Sequence, residues 1–287
     1  RTGIFTNLSH DHLDYHKNLK DYLNSKLYLF KKLLQKNSNI ITDIEIPEYK
    51  IIKKICQKRK LKKNTISNNN GSLKIIEHKY LQGSQLVKFS YKKSIYNFET
   101  KLIGKIQIKN ILMAIIAAEK SNLNLKNIVN IISKIKPVEG RLEKVGKIKN
   151  KSTVILDYSH TPEALKTCLQ NLNEQFQDKK ISIVFGCGGN RDKAKRKIMG
   201  KIANNYCTKI YLTDDNPRNE KPKEIRSEIK KSIDKSKLCE EPSRSEAIKK
   251  AIKNLRLGEI LVVAGKGHEN IQDYGNEKKF FSDKKEI

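Results

Sequence analysis

Apolar residues at Leu19, Tyr22, Leu23, Leu27, Phe30 and Leu34 recur every three or four positions, the spacing of one buried helix face. From Leu73 to Leu102 the pattern breaks into short alternating runs such as Val87-Lys88-Phe89-Ser90-Tyr91. Gly71 and Gly83 punctuate it, which predicts a small antiparallel meander. Helical spacing returns from Ile108 to Ala118 and again from Ile128 to Ile135, where Pro137 stops it. Beyond Pro137 the rhythm is strand, loop, helix, repeated. Strands are predicted at Thr153–Leu156, Ile181–Phe185, Lys209–Leu212 and Ile260–Val263. Helices open near Pro162, run from Lys193 to Asn205, open at Pro222, and run from a Ser243 cap to Leu255.

Short apolar strands alternating with helices predict an α/β fold with a parallel sheet covered on both faces. In such sheets ligands lie at the carboxyl ends of the strands. Four polar clusters fall at those ends: Asp157-Tyr158-Ser159-His160, Gly186-Cys187-Gly188-Gly189-Asn190-Arg191-Asp192, Asp214-Asp215-Asn216-Pro217-Arg218 and Gly265-Lys266-Gly267-His268-Glu269. One such loop is an ordinary turn; four on one edge make a site.

Composition narrows the class. With 287 residues, 37% hydrophobic and 32% charged, the chain can bury a sizeable core and reads as a soluble, polar globular protein. Its longest apolar run, Ile111 to Ala118, is under half of the roughly 18–20 residues that span a bilayer, so no membrane partner is expected. Five scattered cysteines without a CxxC pair fit a reducing, cytoplasmic setting and not a disulfide frame or structural zinc site. The net charge of +29 invites a nucleic-acid reading. The excess is nearly all Lys, evenly spread among abundant Ile and Asn, and it lacks a basic stripe interleaved with aromatics. No specific nucleic-acid partner is therefore expected. Arg1-Thr2-Gly3, with no Met and a strand almost at once, reads as the start of a fragment.

The segment Thr6-Asn7-Leu8-Ser9-His10-Asp11-His12-Leu13-Asp14-Tyr15-His16 packs three His and two Asp into seven residues after a short strand. Its bland reading is a polar loop in which Ser9 and Asp11 cap a helix. Its functional reading is a site for a hard divalent cation and phosphate. The segment resembles the Mur ligase signature TNLSxDHLDYH, and the likeness continues in order along the chain. Lys26 matches the lysine that these ligases carbamylate, and Asn110 the asparagine that helps hold the nucleotide base. Glu139-Gly140-Arg141-Leu142-Glu143 resembles the hinge whose arginine reaches the ATP phosphates. Asp157-Tyr158-Ser159-His160-Thr161-Pro162 resembles DYAHTP, whose aspartate binds the ribose; His160 goes with it in the ATP site. Asp215-Asn216-Pro217-Arg218 resembles the DNPR loop of the Mur ligases that add meso-diaminopimelate. The physics of the last assignment agrees: the distal carboxylate of that amino acid suits the planar fork of an arginine.

The resemblance implies the rear part of a central ATP-binding domain over residues 1–137 and a Rossmann-like, amino-acid-binding domain over residues 138–287. It implies an ATP-dependent ligase of peptidoglycan synthesis, and so of cell shape and division. Such an enzyme joins meso-diaminopimelate to UDP-N-acetylmuramoyl-L-Ala-D-Glu, using Mg²⁺ and ATP and acting as a monomer. Arg191, Asn216, Arg218, Gly265 and Glu269 would form the amino-acid pocket, with Asp215 and Glu269 facing the distal ammonium. His12 and carbamylated Lys26 would be the catalytic metal ligands, and His10 and His16 would orient the loop. Asn190, Ser159 and Ile106-Gln107 depart from the family's usual Asp, Ala and Phe-Asn. The family's N-terminal domain and GTNGKT phosphate loop do not occur in the sequence, so the chain alone is expected to be inactive. Two alternatives stay open: a folylpolyglutamate-synthase-like ligase, against which the DNPR and GKGHE loops speak, and a non-catalytic relic.

Overall fold

The computed structural model describes residues 1–9, 15–81, 83–146 and 151–287. The chain divides into two compact units, Arg1–Lys136 and Pro137–Ile287.

The first unit is built on one six-stranded sheet, in the order of the chain. Its strands are β1 (Thr2–Phe5), β2 (Asn39–Asp43), β3 (Lys62–Ser67), β4 (Leu73–Leu81), β5 (Ser84–Tyr91) and β6 (Ser94–Thr100). β1 through β4 pair in parallel, and β4, β5 and β6 form an antiparallel meander. The meander is thus the extension of a parallel sheet and not a separate module. Adjacent strand residues serve opposite faces. Ile40 packs with Phe5, Leu27, Phe30, Ile52 and Ile55 under α1 (Leu19–Tyr28) and α2 (Tyr49–Arg59). Ile41 packs with Ile66, Val87, Phe89, Leu112 and Ile116 under α3 (Lys105–Glu119) and α4 (Leu125–Ile131).

The helix expected over Leu19 to Leu34 runs as α1 to Tyr28 and continues as a π-helical segment, Leu29–Leu33. Leu27, Phe30 and Leu34 are buried, whereas Leu19 remains exposed. Its cap is neither Ser9 nor Asp11. Asn18 accepts from the Asp21 N–H at 2.9 Å, nine residues beyond the first of the expected caps. The helix expected at Ile128 begins one turn earlier, and ends as a 3₁₀ turn at Ile132–Lys134.

The second unit holds a sheet in the order β11-β10-β9-β12-β8-β7. These strands are β7 (Glu143–Val145), β8 (Thr153–Asp157), β9 (Ile181–Phe185), β10 (Lys209–Leu212), β11 (Leu238–Glu240) and β12 (Ile260–Ala264). All pair in parallel except β7, which runs antiparallel to β8 on the edge. Every residue of β8, β9 and β12 is buried, as a strand covered on both faces requires. Helix α5 (Pro162–Gln175) starts on a Thr161 cap with Pro162 in its first turn, and α6 is Ala194–Tyr206. α7 (Pro222–Lys230) follows, and α8 (Arg244–Lys253) is capped by Ser243. α8 sets Ala247, Ile248 and Ala251 against Val154, Leu156, Val184 and Val263. A two-stranded ribbon, β13 (Ile271–Asp273) with β14 (Lys278–Phe280), and the short α9 (Asp283–Glu286) complete the unit. Because β8, β12, β9 and β10 are parallel neighbours, the four polar loops leave from one edge of the sheet.

Candidate active site

In the first unit the relevant side chains gather at the carboxyl ends of β1 and β2. The Lys26 ammonium donates to the Asn7 carbonyl at 2.9 Å, just past the end of β1. It lies over the Tyr22 ring (4.9 Å to the centroid) and near that of Phe5 (5.9 Å), so the aromatic faces hold the cation where the polar loop begins. His16 stacks on Tyr22, with its Nδ1 3.3 Å from Asp21. His10, Asp11, His12 and Asp14 lie outside the described residues. Asn110 is exposed on α3. Its neighbour Lys109 donates to the buried Asp43 (2.5 Å) and to Glu45 (3.1 Å), beyond the end of β2. Burial pulls the Lys109 ammonium down, but the hydrogen bonds to Asp43 and Glu45 outweigh it and the net shift is upward. These contacts tie the N-terminal half of α3 to the end of β2 and so hold the backbone that carries Asn110.

In the second unit, Gly140 turns the chain with φ +66; a Cβ there would meet His268 N at 2.6 Å, so only glycine fits. The Gly140 N–H donates to Glu143 (2.9 Å) and the Leu142 N–H to Asp157 Oδ2 (2.8 Å). Asp157 Oδ1 accepts from the Ser159 N–H (3.0 Å) and from the Ser159 hydroxyl. Burial raises the Asp157 pKa, and the hydrogen bonds from Ser159 and Leu142 and the charge of Arg141 oppose that rise without cancelling it. The Arg141 guanidinium sits 4.7 Å over the Tyr158 ring. His160 Nδ1 donates to the Tyr158 carbonyl (2.9 Å), and its ring meets that of Tyr158 edge-on at 4.6 Å.

The same Tyr158 reaches the neighbouring cluster, donating its hydroxyl to Glu269 Oε1 at 3.2 Å. Glu269 Oε2 accepts from Asn216 Nδ2 (3.0 Å) and from Lys266 Nζ (3.1 Å). Arg218, itself at φ +52, donates to the Gly189 carbonyl (2.8 Å), and the Gly189 N–H donates back to the Asn216 carbonyl (2.9 Å). A Cβ on Gly189 would lie 1.9 Å from the Pro217 oxygen, so these two loops can touch only at glycine. Arg191 is exposed two residues further along this loop. Gly265 (φ +111) donates its N–H to the Asp157 carbonyl at 3.1 Å and leaves room for Asp215, whose Oδ2 a Cβ would meet at 2.7 Å. Behind Asp215, at 3.9 Å, stands the fully buried Arg244, paired with Asp283. Apart from Arg191, which is exposed, the expected residues of this unit are thus joined in one cluster drawn from the hinge and the four polar loops.

The description "Mur ligase middle domain" matches residues 1–118, and "Mur ligase, glutamate ligase domain" matches residues 140–267. A UDP-N-acetylmuramoyl-L-alanyl-D-glutamate--2,6-diaminopimelate ligase from Rickettsia bellii is 42% identical over 282 residues, covering 98% of this chain and 58% of that protein. The chain belongs to the Mur ligase family. It spans a little over half the length of the curated relatives it matches. Among solved structures, a UDP-N-acetylmuramoyl-L-alanyl-D-glutamate--2,6-diaminopimelate ligase superposes with TM-score 0.66 at 30% identity, covering 99% of this chain and 58% of that one. A Mycobacterium tuberculosis folylpolyglutamate synthase superposes with TM-score 0.74 over 92% of this chain and 61% of that one. At 15% identity that likeness shows a shared fold alone.

Within this Mur ligase chain, three residues of the cluster were not singled out from sequence: Tyr158, Lys266 and Arg244. Tyr158 and Lys266 stand inside quoted motifs, but only burial and partner geometry distinguish them from loop residues. Among the described residues no helix is long and apolar enough to cross a membrane, and no group of three His, Cys, Asp or Glu side chains is placed to hold a metal. Cys187, in the Gly-rich loop, is buried and its thiol is pushed up to about 12 by desolvation, which suits packing and not nucleophilic chemistry. Cys56, Cys168 and Cys207 are also buried, and Cys239 is half-buried. A thiol reagent added to the native chain is expected to modify Cys239 first. Rapid labelling of Cys187, read by peptide mass mapping, would contradict this structure.

Proposed function

We propose that the chain carries the amino-acid-binding and part of the ATP-binding machinery of a ligase that adds meso-diaminopimelate to UDP-N-acetylmuramoyl-L-Ala-D-Glu. The observation that supports this most directly is the joining of Asp215, Asn216, Arg218, Gly265 and Glu269 at one sheet edge, in a chain whose relatives carry that name. The cluster offers a cationic fork beside two carboxylates, the complement of a side chain that ends in both a carboxylate and an ammonium. In this reading the γ-phosphoryl of ATP passes to the D-Glu carboxylate, giving an acyl phosphate and ADP. The diaminopimelate amine adds to the acyl carbon, and phosphate leaves as the amide forms. Arg141, Asp157, His160 and Asn110 would hold the nucleotide. The buried Asp157 carboxylate already accepts three internal hydrogen bonds, so it would meet a ribose as a fixed acceptor.

Mg²⁺ would neutralise the phosphate charge during transfer, with His12 and Lys26 among its holders. The donor set fits only after modification: an ammonium cannot ligate a cation, whereas a carbamate on Lys26 presents anionic oxygens. In a ligation-competent polypeptide, Lys26→Ala is expected to remove most turnover. Bicarbonate would not restore it, and short carboxylic acids would restore part by standing in for the carbamate. Near-normal turnover would make Lys26 an ordinary helix lysine.

The reading itself is tested by titrating this chain calorimetrically with meso-diaminopimelate and with lysine. Saturable heat with the first and little with the second is expected; equal binding or none with either would overturn it.

A further inference from the structure

Lys266 is charged and wholly enclosed, at 0% exposure. Burying an ammonium is costly unless each of its donors is matched. Here all three are. Nζ donates to Asn216 Oδ1 (3.0 Å), to Glu269 Oε2 (3.1 Å) and to the Ile271 carbonyl (2.6 Å). These acceptors come from three segments: the loop after β10, the loop after β12 and the first residue of β13. A methionine would fill the same volume without the cost, so packing alone does not explain a lysine.

The contacts also settle the orientation of Asn216. Its Oδ1 accepts from Lys266 and from the Asp273 N–H (3.0 Å), which turns Nδ2 toward Glu269 Oε2 (3.0 Å). With the carboxamide reversed, an N–H₂ would face both an ammonium and an amide N–H, three donors with no acceptor. Glu269 is likewise held, by Lys266 and Asn216 on Oε2 and by Tyr158 on Oε1, while a third of its side chain stays open to solvent.

We infer that Lys266 is a positioning residue that sets the Asn216 carboxamide and the Glu269 carboxylate for the incoming amino acid without touching it. The inference rests on the meso-diaminopimelate reading of this cluster. Its consequence for specificity is that the ligand meets Asn216 through Nδ2 alone, as a donor, and meets the outward side of Glu269 as an acceptor.

Lys266→Met separates positioning from filling, because it keeps the stem and loses the donors. Calorimetric titration of the full 287-residue chain with meso-diaminopimelate is expected to show affinity reduced roughly tenfold or more in this variant, the scale of one lost charge-assisted hydrogen bond. In ¹⁵N spectra, the side-chain amide protons of Asn216 should exchange with solvent far faster than in the parent. Parent-like affinity together with parent-like exchange in a folded Lys266→Met chain overturns the proposal. Should the variant not fold, the parent decides: a scalar coupling across the hydrogen bond from Lys266 ¹⁵Nζ to the Ile271 carbonyl carbon supports the hub, and its absence at low temperature sinks it. A parent chain that binds no meso-diaminopimelate refutes the proposed function, and the Asn216 exchange comparison then still decides whether Lys266 positions that side chain.

Discussion

Replacing Arg218 by alanine is expected to weaken binding of meso-diaminopimelate by 30-fold or more, and to leave the affinity for lysine nearly unchanged. The reason is charge and shape together. A carboxylate held by a guanidinium gains two parallel hydrogen bonds, and truncating one partner of such a pair costs about 2–5 kcal/mol, or roughly 30-fold to several thousand-fold in affinity. Arg218 is only half-buried, so the effect should fall toward the lower end. Lysine has no distal carboxylate to lose, and relief of repulsion between two cations could only favour it. The diagnostic quantity is the ratio of the two dissociation constants before and after substitution. Arg218 also donates to the Gly189 carbonyl, so the alanine variant should melt slightly earlier as two loops come apart. Arg218→Lys keeps the charge but not the fork, and should recover little of the lost affinity. An unchanged ratio would mean that Arg218 serves the loops and does not read the ligand.

Arg244→Ala should produce the largest loss of stability in the second unit. The guanidinium grips Asp283 through Nε (2.7 Å) and Nη2 (2.8 Å), and Nη2 also donates to the Ala264 carbonyl (2.9 Å). Both partners are sealed from water, with Arg244 at 1% and Asp283 at 0% exposure. Removing the cation strands a carboxylate in the interior, which costs about 3–5 kcal/mol. For a unit of this size that corresponds to a melting temperature lower by roughly 6–20 °C. The double change Arg244→Met with Asp283→Leu should regain much of the loss, since a buried pair stabilises little over an apolar pair of similar volume. Scanning calorimetry of the three chains checks both statements. A single variant within 1 kcal/mol of the parent, on the order of an ordinary surface change, would show that the pair is solvated and that α9 docks weakly.

Much of the second unit is legible in the sequence. Strands β8, β9, β10 and β12 are continuous apolar runs, and Thr161-Pro162, Pro222 and Ser243 mark helix starts by stereochemistry that does not depend on distant contacts. Residues 35–72 were silent for an identifiable reason. β3 buries Asn64, Thr65 and Ser67, polar residues that hydropathy reads as surface. They are tolerated inside because Asn64 Nδ2 donates to Asn39 Oδ1 (3.2 Å) and the Thr65 and Ser72 side chains each accept from the other's backbone N–H. The three-residue strands β7, β11, β13 and β14 are too short to carry a period at all.

The candidate site divides the same way. The gathering of the four polar loops could be read from residue types at strand ends, because a parallel sheet sends those ends to one edge whatever the rest of the chain does. Which side chains face a ligand and which face each other could not. Lys266 and Arg244 carry the same formal charge as dozens of surface cations in this sequence, and only burial against Asn216, Glu269 and Asp283 gives them distinct work. Local stereochemistry and period are properties of neighbouring residues, so the sequence alone determined the strands, the caps and the edge where the loops gather. Desolvation and hydrogen-bond partnership join residues dozens of positions apart, and those the tertiary structure alone decided.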